Sequence, residues 1–132
     1  MGYALYVAVK LIAYTVWCWY GLRLWRPGSA KLSRALLFGV ARLAIGIGFG
    51  LMIFLAFPTG PENLLWKYLA IYAPVRLVEW FILALLIRGQ EGKRTRSGII
   101  LWCLGGIVVS FLADFASPEG IQGHFCVGRC LC

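Results

Sequence analysis

Arg76 and Glu79 stand three residues apart inside "YLAIYAPVRLVEWFILALLIRG" (Tyr68 to Gly89), a stretch otherwise almost wholly apolar. Residues at i and i+3 share one face of a helix, so the spacing predicts a guanidinium and a carboxylate side by side. In an oily setting such a pair can line a solute path or relay a proton, or it can simply fix how helices pack. Isolated charges at that depth cost at least about 2.5 to 3.5 kcal/mol each, so they face the interior of a bundle and seek partners.

Three further charges qualify as partners. Arg42 lies in "GVARLAIGIGFG", where Arg42, Gly46 and Gly50 recur every four residues with Gly39 beside them. Small residues at that spacing let a second backbone come close, so Gly39, Gly46 and Gly50 are expected to form a helix-packing face that also carries Arg42. Lys10 shares a helical face with Tyr6, Tyr14 and Trp17, which predicts a cation-π or phenol contact or, alternatively, snorkelling of its long stem to the headgroups. Asp114 pairs with Lys10 if their helices touch; the simpler expectation is that it meets outer headgroups and water.

The tail "GHFCVGRCLC" holds His124, Cys126, Cys130 and Cys132 within nine residues. One disulfide among three cysteines leaves a thiol over for a second chain or for redox chemistry. A histidine and three thiolates can also hold zinc, but this spacing is no familiar finger or ribbon, so a metal is not expected. Cys18 and Cys103 read as small apolar core residues.

The elements that position these groups follow from composition. Of 132 residues, 61% are hydrophobic and 14% charged, well outside the range of soluble domains. Roughly 20 apolar residues cross a hydrocarbon core of about 30 Å. Four such stretches occur, at about residues 3–22, 35–57, 64–87 and 99–116, followed by a cysteine-rich tail over 117–132. The first is expected to be retained as a span, because no basic segment precedes it and arginines, not a small-residue cleavage site, follow it. Short connections broken by Pro27-Gly28, by "PTGP" and by Gly89 and Gly92 predict an up-down-up-down four-helix bundle, an all-α integral membrane fold.

Most of the net charge of +8 sits in two loops, residues 23–34 and 88–98, and the positive-inside rule makes both cytoplasmic. The N-terminus, the "PTGPEN" turn and the tail are then extracytoplasmic, and the protein belongs in the cell (plasma or inner) membrane. Anionic lipid explains the basic loops without invoking nucleic acid. Aromatic residues at both ends of the first span are assigned mostly to interfacial belts.

Counting outward from Gly60 and Pro61 places Arg42 and Glu79 at equal depth on the two arms of a hairpin. Glu79 is therefore expected to be shared by Arg76 and Arg42, with excess positive charge left for a lipid phosphate, an anionic substrate or a partner's carboxylate. Pro74 frees the carbonyl of Ala70 beside this cluster. No histidine lies within a span, and no phosphate loop, HExxH or nucleophile elbow is present, so no cofactor is expected beyond bound lipid. The first expectation is a structural or accessory subunit bound to lipids and to other membrane subunits or to copies of itself. A small oligomeric transporter or channel for an anionic or amphipathic solute is the alternative, followed by a thiol-disulfide membrane enzyme.

Overall fold

The computed structural model describes residues 2–56, 65–89 and 96–117, and they are almost entirely helical. The helices are α1 (Gly2–Trp25), α2 (Leu32–Ala56), α3 (Leu65–Arg88) and α4 (Arg96–Phe115), with a 3-10 turn at Pro27–Ser29. Each runs to within a few residues of its expected span. All four contain stretches long and apolar enough to cross a membrane.

Local chemistry sets the ends. Pro27 lacks an amide hydrogen, so α1 gives way to the 3-10 turn after the Arg26 amide closes on the Leu22 carbonyl at 2.7 Å. Gly89 ends α3 with φ of 60°, a left-handed value that costs glycine nothing, and its amide donates to the Leu85 carbonyl at 3.1 Å. A side chain there would approach the Arg26 guanidinium at 3.3 Å, so the end of α3 and the connection that follows α1 lie at one end of the bundle. α4 closes through shorter i to i+3 bonds, Ala116 to Ala113 at 3.1 Å and Ser117 to Asp114 at 3.0 Å.

Contacts between helices fix the topology. Tyr6 near the start of α1 meets Asp114 near the end of α4, Arg42 of α2 meets Glu79 of α3, and Trp80 of α3 meets Ser110 of α4. Successive helices are thus antiparallel and α1 closes on α4, the up-down-up-down arrangement.

The core is built from indole rings. Trp80 and Trp102 pack edge to face at 5.3 Å, Tyr14 meets Trp80 at 5.6 Å, and Trp17 stacks on Trp102 at 6.1 Å. Glycine makes room: a Cβ on Gly106 would lie 2.5 Å from the Trp80 ring, and one on Gly21 would lie 2.9 Å from Trp102. The expectation of interfacial belts therefore fails for Tyr6, Tyr14 and Trp25, which are buried, while Tyr3, Trp19 and Tyr20 do lie at the surface. Many large apolar side chains are exposed on the outer surface, Leu37, Leu55 and Leu101 among them, on helices long and apolar enough to cross a membrane.

Candidate functional site: a charged cluster bordering a cavity

Five charged side chains meet inside the bundle. Lys10, Arg42, Arg76, Glu79 and Asp114 are each no more than 5% exposed. α2 supplies Arg42 and α3 supplies Glu79, and their ion pair closes at 2.5 Å. The Arg42 guanidinium lies between two aromatic faces, 4.9 Å from the Tyr14 ring and 4.9 Å from the Trp80 ring. This contact adds to the attraction of Glu79, because an arginine over a ring face is favoured more as water is excluded.

Arg76 has a partner on a further helix that the spacing within α3 did not offer. It pairs with Asp114 of α4, with its guanidinium 4.5 Å from the centre of the Phe111 ring. Glu79 is ion-paired with Arg42, and Arg76, one turn earlier in α3, lines the same cavity. Pro74 lies within α3, half a turn before Arg76.

The expectation that Asp114 meets headgroups and water is corrected. Asp114 is buried, accepts a hydrogen bond from the Tyr6 hydroxyl at 2.8 Å, and pairs with Lys10 at 2.8 Å and with Arg76. Lys10 does not snorkel: it lies 4.6 Å over the Tyr6 ring. The physical reason is the length of α4. Asp114 is one residue from its end, yet its partners lie well inside theirs, Lys10 about 12 Å from Gly2 and Arg76 about 16 Å from Leu65 at a rise of about 1.5 Å per residue. An outer position in α4 is consequently a deep position in the bundle. The negative end of the α4 dipole adds to the attraction for Lys10 and Arg76.

The glycine face divides by role. Gly39 is buried against α1, where a Cβ would fall 2.5 Å from Thr15 Oγ1 and 3.1 Å from its backbone nitrogen. Gly46 and Gly50 do something else: they border a cavity, and a Cβ at Gly46 would meet Arg42 at 3.0 Å. Helical spacing cannot separate a glycine that admits a backbone from one that leaves space.

That cavity lies among α1, α2 and α3. Lys10, Arg42, Arg76 and Glu79 line it together with Tyr6, Tyr14 and Tyr72, whereas Asp114 lies outside the lining. Three cations and one carboxylate thus face the same space. About 20 Å³ is open to the centre of a water molecule, enough for one water or a compact polar group. Arg42 Nε is buried without a hydrogen-bond acceptor. With Lys10 and Arg76 paired to Asp114 and Arg42 to Glu79, the five charges sum to +1, and a site of this composition attracts an anion through that surplus.

Tyr72, Trp80 and Phe111 complete the cluster and went unassigned in the sequence. Tyr6, one turn before Lys10, makes the cation-π contact that the helical spacing suggested. Cys18 and Cys103 are unbridged and buried in the core, as small apolar residues should be. His124, Cys126, Cys130 and Cys132, with the disulfide, thiol and metal readings attached to them, lie outside the described residues.

Comparison with protein-family models, curated proteins and solved structures finds no match for this chain.

Proposed function

We propose that this chain is an integral membrane protein that takes an anionic group into the bundle interior, acting as a small transporter or channel for an anionic or amphipathic solute. The observation that carries the reading is the cavity lined by Lys10, Arg42, Arg76 and Glu79, where three cations are met by two carboxylates, Glu79 in the lining and Asp114 behind it, leaving one positive charge over. Surplus positive charge in a low-dielectric setting is costly until an anion offsets it. The basic loops face the cytoplasm and both termini the opposite side, in the cell membrane. The same surplus displaces the accessory-subunit role as first reading, since a purely structural cluster is expected to balance its own charges around the space it borders.

The experiment is direct. Purified protein is reconstituted in phosphatidylcholine liposomes, and flux and binding are followed for chloride, phosphate and oleate. At least one of these is expected to bind and to cross only in protein-containing vesicles. Failure of all three to bind would sink the proposal.

A subunit role keeps one specific support. α2 is the least buried of the four helices, and its outward Gly48 has open space around it, as a helix awaiting a neighbour would. Purification in mild detergent separates the readings, since a subunit brings down larger partners in fixed ratio.

A further inference from the structure

We infer that the anion taken by this site is the compact acid head of a single-chain amphiphile, a long-chain carboxylate, entering sideways from the bilayer. The inference rests on the anion-binding reading above and specifies its ligand. Three observations lead to it.

The first is the contrast between the floor and the rim of the cavity. Its floor is charged and phenolic, with Lys10, Arg42 and Arg76 outnumbering Glu79 beside Tyr14, and all five are buried. Its lining reaches the outer surface of the bundle at Ile47, which is 42% exposed, with half-buried Val7, Leu43 and Val75 around it. A ligand that fits both must be anionic at one end and apolar at the other.

Depth is the second. Ile47 lies about 13 Å from the nearer end of α2 at a rise of about 1.5 Å per residue, which places the mouth within a hydrocarbon core about 30 Å thick. An inorganic anion would have to cross lipid tails to reach it, at high desolvation cost. An amphiphile already resident in the bilayer carries its head inward while its tail stays in apolar surroundings throughout.

Size is the third. The space is little more than that of one water molecule, so it suits a carboxylate and excludes a sugar or a bulky phosphodiester. The bidentate geometry of a carboxylate matches the guanidinium of Arg42, whose Nε has no acceptor of its own.

The full chain in phosphatidylcholine nanodiscs is titrated with oleate, oleyl alcohol, acetate and inorganic phosphate, with native mass spectrometry and thermal unfolding as readouts. Oleate is expected to bind at least tenfold more tightly than oleyl alcohol at equal mole fraction in the bilayer, and than acetate or phosphate in solution. Ile47→Trp, a surface change that fills the mouth, is expected to weaken oleate at least tenfold while leaving unfolding of the ligand-free protein within a few degrees of the parent. Equal binding of oleyl alcohol, or indifference to Ile47→Trp, overturns the inference. Binding of acetate or phosphate as tight as that of oleate overturns it too, but leaves the anion site standing. Absence of binding by every anion removes both.

Discussion

Arg76 on α3 and Asp114 on α4 form a buried ion pair at the last turn of α4, and Lys10 of α1 joins them through the same carboxylate. One carboxylate therefore ties three helices together. Its removal leaves two cations facing each other in the interior. Asp114→Asn is expected to cost about 3 to 5 kcal/mol, the usual penalty for breaking a buried pair from one side. Denaturant unfolding in detergent measures it, and a loss below about 1 kcal/mol would show the carboxylate to be dispensable.

The Arg42 and Glu79 pair is expected to behave as a unit. Arg42→Met or Glu79→Leu alone should each destabilise by about 3 to 5 kcal/mol, whereas the double variant should recover much of the loss, because no uncompensated charge remains. A double-mutant cycle reads the coupling. Additive losses would mean that the pair's contact energy is negligible.

The sequence made the four helices legible because their signal is a sum over some twenty residues each. It also placed Arg42 level with Glu79, since a hairpin with a tight outer turn converts residue number into depth. Asp114 defeated the same reasoning. Its depth depends on where α4 stops relative to α1 and α3, and no count within one helix contains that information. The indole core was hidden for a related reason: a tryptophan near a helix end suits a headgroup belt equally well until Gly21, Gly105 or Gly106 on a neighbour is known to face it.

Glu79→Gln should separate binding from architecture. Among the described residues it removes the one carboxylate that lines the cavity, so the ligand-free protein loses stability while anion affinity rises by about tenfold, equivalent to about 1.4 kcal/mol. The expected signature is a lower melting temperature without ligand and a larger upward shift with oleate. A smaller shift than in the parent would assign Glu79 a positive role in holding the ligand.

Gly106→Ala tests the indole core. The new methyl group would press on the Trp80 ring, whose Nε1 is held by Ser110 Oγ at 3.0 Å, so overpacking should cost about 1 to 3 kcal/mol. Gly28→Ala, with nothing within 4 Å, serves as the control and should stay within about 0.5 kcal/mol of the parent. Thermal unfolding of the two variants gives the comparison.

Orientation is open to a labelling experiment. With the tail cysteines replaced by serine, a cysteine at Ser29 should react with a membrane-impermeant maleimide only after the cytoplasmic face is exposed, and one at Tyr3 should react in intact cells. Cys18 and Cys103 should stay silent in the native protein because both are buried. The reverse labelling pattern would invert the assigned topology.

The aromatic contacts divide the molecule mechanically. Trp17, Trp80 and Trp102 interlock α1, α3 and α4, and the hydrogen bonds of Tyr6 and Trp80 brace the same three helices. None of these ties involves α2, which packs along α1 where Gly39 meets Thr15, buries Ala35 in the core, and slots the Arg42 guanidinium between Tyr14, Trp80 and Glu79. Three helices are thus joined ring to ring, whereas the fourth is joined to them by close backbone approach and by an arginine that also faces the cavity.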